Sequence, residues 1–476
     1  MRCPKGYPII AITPKAPSPG TPGEGWGEGF YLSRRPLTPT LSPEYRGEGA
    51  LQLASDSLRL LAAPPRVNSM SDATETAPHA AVFQSPPSPL APVALPVALL
   101  LFVAATHFLV DTVAGLLNPL WPALEKHYTL QGGAIFWMYS LWTLSTSISQ
   151  LFFGYLGDRI HSRWLIWLGP GAAVVCLGCV GVTQSPWVLA ALLAISGLGI
   201  AAFHPEAAAL AGNCAPDHRS RSMSIFSMGG FLGQAVGPVA SGWVVDHYGL
   251  SGLTGEIAIG LLALAVLWIG LRGASSRTTQ THVPSLPLRE VFSGRIGTTL
   301  LLLTIGALRV VGAAGVPLAL AYLLTARHRP YAEIGGSQSA FMFGIGAGGL
   351  ACALFVGKKH EQLTLWLLPL IVAPVILAMP LMDGVVLLAA AGVAGLLIGV
   401  GLPVLISYGQ QLLPGSQRVA SSITMGVSWG TGGAIVAGIM AVCEARQTLE
   451  AAFAIFAAAV VLSCVLCYWL PTPREV

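Results

Sequence analysis

Charge is scarce in this chain of 476 residues: Asp, Glu, Lys and Arg together make up 10%, while 54% of residues are apolar. An ordinary soluble domain carries about 25% charge, so a surface this poor in charge cannot be solvated by water all round, and a soluble enzyme is excluded. No Gly-x-x-x-x-Gly-Lys-Ser/Thr run occurs, which argues against an ATP motor in this chain. The eight cysteines imply no disulfide framework. Cys176 with Cys179 and Cys464 with Cys467 have metal-like spacing, yet both pairs lie in apolar runs without further ligands and read as small core filler. No metal centre and no cofactor is therefore expected. The formal charge of +4 needs no nucleic-acid partner, because the basic residues stand at the ends of apolar segments. Nothing before about residue 92 has the charged start, continuous apolar stretch and small-residue cleavage site of a secretory signal.

Residues 1–93 hold 8 of the 25 Lys and Arg and are crowded with Pro and Gly, as in PKAPSPGTPGEGWGEG. Such a stretch has too little apolar surface to bury and is expected to be disordered. The run PLTPTLSPEYRGEG resembles translated products of dispersed bacterial genomic repeats. Met70 opens a more ordinary beginning, MSDATETAP, so residues 1–69 read as a mis-assigned start or a dispensable tail.

From Pro92 onward, apolar stretches of about 20 residues recur, each long enough to cross a hydrocarbon core as a helix. The hydropathy pattern predicts an all-α membrane protein with twelve transmembrane helices in two six-helix bundles. The first six lie near 94–119, 131–156, 164–183, 187–212, 220–244 and 252–272. The second six lie near 297–325, 335–357, 363–382, 384–411, 418–441 and 448–470. Residues 273–296 form the polar linker between the halves, and 471–476 a short tail. With both termini inside, the inner loops and tail carry Arg159, Arg163, Arg219, Arg221, Arg272, Arg277, Arg289, Arg295, Lys358, Lys359, Arg418 and Arg474. The outer loops carry only Lys126, Arg327, Arg329 and Arg446, which fixes the expected orientation with both termini cytoplasmic. Trp121, Trp137, Trp164, Trp187 and Trp469 suit the bilayer interface, although plain packing explains any one of them as well.

An internal repeat supports the two halves. RSMSIFSMGGFLG from Arg221 and RVASSITMGVSWG from Arg418 share Arg, Ser, Met, Gly and Gly at a constant offset of 197 residues, on the expected fifth and eleventh helices. One helix earlier, Pro205 and Pro216 match Pro403 and Pro414 at an offset of 198. Duplication of a six-helix unit accounts for both, with a cleft expected between the copies.

The loop after the second expected helix reads GYLGDRIHSR, Gly154 to Arg163. It resembles the Gly-x-x-x-Asp-Arg-x-Gly-Arg-Arg signature of the major facilitator superfamily, with His161 and Ser162 where that family usually has Gly and Arg. The resemblance implies a latch made by Gly154, Gly157, Asp158, Arg159 and Arg163 that holds one of two alternating conformations. Topology arginines beside a solvated Asp would account for the same residues taken alone. In the fifth helix Gly229, Gly233 and Gly237 form a smooth stripe ahead of Pro238, which removes a backbone hydrogen bond. This helix resembles the glycine-proline motif of the superfamily's proton-driven drug exporters, and a mere packing groove is the other reading.

Ionisable groups inside the membrane cost several kcal/mol each unless paired or facing a cavity. His107 and Asp111 in the first helix are four apart and share a face, so they can share a proton. In the fourth helix FHPE places His204 and Glu206 around Pro205, whose ring breaks the bond to the Ala201 carbonyl. Arg309 lies mid-span in the seventh helix, where its planar donors fit a carboxylate or phosphonate. A pair that only locks the packing, and an arginine that only balances Asp111, are the alternatives. The runs HFLVDTVAGLLNPL and FHPE resemble the fosmidomycin-resistance branch of the superfamily, bacterial inner-membrane exporters. That resemblance covers nearly all of 94–470 and implies proton-coupled efflux of a small drug or metabolite, anionic or zwitterionic, such as a phosphonate. His107, Asp111, His204 and Glu206 would then carry protons, with Arg309 and Pro205 at the substrate. The partners expected are a small molecule, protons and the lipid bilayer. An importer of a small organic anion on the same fold is the second reading.

Overall fold

The computed structural model describes residues 94–160, 164–214, 219–274, 293–356, 360–412 and 422–471. The N-terminal extension, most of the linker, Arg163, Arg418 and residues 472–476 lie outside them, as do the side chains of Gly157, Asp158 and Arg159. The described chain is almost entirely helical: α1 (Ala94–Gly115), α2 (Trp121–His127), α3 (Ala134–Ser147), α4 (Ser149–Ile160), α5 (Leu165–Gly178), α6 (Pro186–Cys214), α7 (Arg219–Tyr248) and α8 (Thr254–Ala274) come before the linker. After it follow α9 (Ile296–Ala326), α10 (Tyr331–Phe355), α11 (Glu361–Ala378), α12 (Gly384–Leu412), a π-helical turn (Ser422–Val427), α13 (Ser428–Ala445) and α14 (Leu449–Leu466).

Among the described residues, nine helices are long and apolar enough to cross a hydrocarbon core. The segments that fall short of that measure have physical reasons. The second expected span is broken at Ile148, between α3 and α4. Its Ser/Thr-rich middle turns hydroxyls back on the ladder: Thr143 donates to the Tyr139 carbonyl at 3.0 Å and Thr146 to that of Trp142 at 3.0 Å. Helix α5 has only 14 residues, while α7 has 30 but is rich in Ser and Gly. The first expected span does meet the measure, as the stretch Val97–His127, although its first helix ends at Gly115. Asn118–Leu120, with Pro119 in its first turn, makes a 3-10 turn that leads into α2.

Large apolar side chains point outward along the helices. Leu101, Phe152, Leu262, Phe355 and Val385 are all more than half exposed, which in a membrane is lipid contact rather than a defect. Trp137, Trp164, Trp187 and Trp469 are exposed as an interface role requires. Trp121 is not: it is 1% exposed and packs against Tyr139, so it belongs to the core.

Helices α1 to α8 pack largely among themselves, α1 against α7, α8 and α6, and α5 against α6. Helices α9 to α14 do likewise, α10 on α12, and α9 on α13 and α14. The principal helix pairs that cross from one half to the other are α7 with α10 and α3 with α13. These are the fifth with the eighth, and the second with the eleventh, of the segments expected from hydropathy. Exchanging the two copies of the repeat turns one pair into the other, as a pseudo-two-fold relation requires.

Candidate functional site

Three of the ionisable residues singled out in the sequence meet at one point inside the first half. His107 and Asp111 project from the same face of α1, with His107 Nε2 at 3.4 Å from Asp111 Oδ2. His204, from α6, brings its Nε2 to 3.3 Å from Asp111 Oδ1. Both His107 and Asp111 are buried, at 7% and 8% exposure, and His204 is half-buried. Each ring is fixed from behind. Nδ1 of His107 donates to the Phe226 carbonyl at 2.8 Å, and Nδ1 of His204 donates to the Ile200 carbonyl at 2.8 Å. A carbonyl only accepts, so both rings carry hydrogen on Nδ1 and turn Nε2 toward the carboxylate. If both rings were neutral, two nitrogen lone pairs would face carboxylate oxygens. A proton shared between a ring nitrogen and the carboxylate would satisfy both groups.

The glycine stripe of α7 builds this arrangement. Gly229, Gly233 and Gly237 lie against the carbonyls of Ala104, Phe108 and Thr112, so a four-residue step on α7 meets a four-residue step on α1. A side chain at any of the three would collide with backbone. The close approach brings the Phe226 carbonyl within reach of His107 and stacks the two rings, with centroids 4.0 Å apart. Gly230 faces the site itself: a β-carbon there would lie 2.6 Å from His107 Nε2 and 2.8 Å from Asp111 Oδ2. Packing and site assembly are thus one function of the stripe. Pro238 continues the same helix into the other half, its carbonyl against Gly335 of α10 and its ring 3.2 Å from where a Gly115 β-carbon would stand. On α6, Pro205 packs near Gly154 of α4, which connects the signature-bearing helix to the site.

Two expected members do not join the cluster. Glu206 is about 200° round the helix from His204 and is not among the three clustered ligand groups. Arg309 points into the second half: its guanidinium donates to the Leu365 carbonyl at 2.7 Å and reaches Cys467 Sγ at 3.7 Å, with Nε unpartnered. It borders a cavity of only about 20 Å³ lined by Leu368, Pro369, Gly401 and Val460, room for a water and not for a substrate. The reason is local. The Leu365 carbonyl near the start of α11 and the Cys467 sulfur just after α14 solvate the buried cation on the side of the second half.

Sequence reasoning missed the contacts that join the halves. Asp246, at the end of α7, accepts from the backbone N–H groups of Tyr331 and Ala332 at 2.9 and 2.7 Å, a carboxylate on the N-terminus of α10. Glu444 ends α13 and lies 3.6 Å from a β-carbon placed on Gly133, at the N-terminus of α3. Asp246 and Glu444 are 198 residues apart, as are Gly133 and Tyr331, so the two contacts are copies under the repeat. Glu125 of α2 lies beside Glu444 and accepts from the Tyr322 hydroxyl of α9 at 2.9 Å. Gln338 of α10 donates to the Asn118 carbonyl at 3.1 Å. The offset of 198 was the available signal, but acids near chain turns look like solvated loop residues until their partners are known.

Comparison with known proteins agrees with this architecture. The chain is 25% identical over 352 residues to the Fosmidomycin resistance protein of Escherichia coli (strain K12), covering 71% of this chain and 85% of that protein. It is 33% identical over 150 residues to the Multidrug resistance protein MdtG of Salmonella paratyphi A, covering 30% of this chain and 37% of that one. The crystal structure of a point mutant of the nucleoside transporter NupG superposes with a TM-score of 0.61 at 13% identity, over 78% of this chain and 99% of that one. The profile of the Major Facilitator Superfamily matches residues 103–437, and the chain is a multi-pass membrane transporter of that family, not an enzyme.

Proposed function

We propose that this chain is a proton-coupled exporter of a small drug or metabolite, working by alternating access in a bacterial inner membrane. The observation that carries the reading is the His107–Asp111–His204 cluster. It is a buried carboxylate held between two imidazoles whose free nitrogens face it, on α1 and α6, and α1 packs along α7, the helix that meets the other half. In lipid such a cluster is costly unless it exchanges protons with water in at least one conformation. The names of the relatives, fosmidomycin resistance and multidrug resistance, favour export over import. An anionic or zwitterionic substrate remains part of the proposal through that resemblance, with Arg309 no longer its anchor in the conformation described.

The twelve spans form two bundles, 94–272 and 297–470, that rock about the α7–α10 and α3–α13 seams, with both termini cytoplasmic by the distribution of arginine. Under that orientation the polar contacts between the halves, at Asp246, Gln338 and Tyr322, lie at the outer face. The conformation described is then held together at its outer face.

The test is drug tolerance of a susceptible bacterium expressing the chain, with and without an uncoupler. The reading predicts raised tolerance to at least one compound, lost when the proton gradient is collapsed. Tolerance that persists under the uncoupler would refute proton coupling.

A further inference from the structure

His107, Asp111 and His204 form a closed ligand set as well as a proton site. One ligand atom from each, taken together, lies within 4.8 Å of the others. The nitrogen-to-oxygen separations are 3.4 and 3.3 Å. The two distances end on different oxygens of the carboxylate, and a cation held at about 2.0–2.2 Å needs ligand atoms about 3.3–3.5 Å apart, so a small contraction of the set, which lies within 4.8 Å, would enclose one ion. The imidazoles are also prepared as metal ligands are. Each donates Nδ1–H to a backbone carbonyl, which fixes the tautomer and aims the Nε2 lone pair inward.

The elements that hold the three groups leave little freedom. His107 and Asp111 share one turn of α1, Gly230 of α7 abuts both, and His204 stands on α6 next to Pro205. His204 is the most exposed member, with a side chain at 22%, so the set is approached from its side. Two imidazoles and a carboxylate favour zinc-class ions over magnesium or calcium, which take all-oxygen sites.

We propose that His107, Asp111 and His204 bind one divalent transition-metal cation of the zinc class, in competition with the protons assigned to them above. The inference rests on that reading only in needing the cluster to be reached by water. The ion would bridge α1 and α6 and hold the first half in one arrangement, so the metal would act as an inhibitor or as cargo.

The test uses the purified full chain in detergent with any purification tag removed. Zinc binding is followed by calorimetry, and Co²⁺ binding by its visible absorption. The expected result is one ion per chain, a tetrahedral-type Co²⁺ band, and a raised unfolding temperature with zinc. Asp111→Ala and His204→Ala should each weaken binding by more than about tenfold. Should either variant fold poorly, His204→Gln keeps the volume and serves in its place, with retention of its unliganded unfolding temperature as the control. Absence of saturable binding, or stoichiometric binding that survives both substitutions, overturns the proposal. Transport driven by a proton gradient is measured separately in vesicles treated with a chelator. If metal binding fails in detergent while transport in the vesicles still depends on Asp111, only the metal inference falls. If metal binds and transport ignores Asp111, only the proton reading falls.

Discussion

At the scale of single residues, Asp111 decides the chemistry because both imidazoles are aimed at it and nothing else in the cluster is anionic. Replacing it by Asn keeps shape and hydrogen-bonding capacity while removing the charge that calls protons to Nε2. Asp111→Asn is expected to reduce gradient-driven efflux to background with normal membrane insertion, measured by drug tolerance and by the amount of protein in the membrane fraction. Gly230 gives an independent check. A methyl group there must displace His107 or Asp111, so Gly230→Ala should impair transport as strongly as a ligand substitution and destabilise the fold by about 1–3 kcal/mol. Gly255 has open space around it, and Gly255→Ala should leave transport unchanged, which separates crowding of the site from a general cost of losing glycine. His107 with Asp111 was legible in the sequence because a spacing of four on one helix puts two side chains on one face. That His204 completes the cluster while Glu206 and Arg309 do not was illegible. Which face of α6 meets α1, and whether Arg309 finds carbonyls or a carboxylate, depend on packing between distant segments.

At the scale of elements, the seam between the halves carries carboxylates set at helix N-termini. Asp246 on α10 is the clearest, and a charge in that position contributes about 1 kcal/mol, enough to change the ratio of two conformations about fivefold. Asp246→Asn is therefore expected to increase labelling of single cysteines placed near Gly249 from the outer side, several-fold relative to the parent protein, with unchanged expression. Unchanged labelling would show that the seam does not depend on this contact. A different clamp holds the turn into α12. Arg329 pairs with Asp383, and Arg327 donates to the carbonyls of Met382 and Pro380, so both cations are satisfied by local acceptors. Hydrogen bonding by Arg329, and then by the Gly384 N–H, holds the Asp383 carboxyl below its ordinary range. A depressed acid contributes stability above its unfolded value and loses it as pH falls through the folded one. This clamp should therefore persist throughout neutral and mildly acidic conditions. The helices themselves were legible from hydropathy, segment by segment. The break at Ile148 and the π-helical turn at Ser422–Val427 were not, because each is decided by where hydroxyls turn. Ser428, for example, donates to the carbonyl five residues back, at Ile423, at 2.8 Å.

At the scale of the whole molecule, the repeat explains how a site in one half can drive motion of both. Helix α7 carries the glycine stripe against α1 on one side and packs on α10 on the other, so a change in the charge of the cluster alters the helix that forms the seam. Duplication was visible in the sequence through its arginine, methionine, glycine and proline matches, and the paired seams follow from it. The interior of the two halves was not symmetric in any way the sequence could reveal: the first holds two histidines and a carboxylate, the second a lone arginine among carbonyls and thiols. The central claim is that protons on the cluster drive transport. Its most direct test reconstitutes the parent protein and Asp111→Asn in liposomes, using a substrate found by the tolerance screen. Two readings are taken: accumulation under an imposed pH difference, and exchange of labelled for unlabelled substrate without one. The account predicts that the parent does both and that Asp111→Asn exchanges but does not accumulate; accumulation by Asp111→Asn at the parent's level would contradict it.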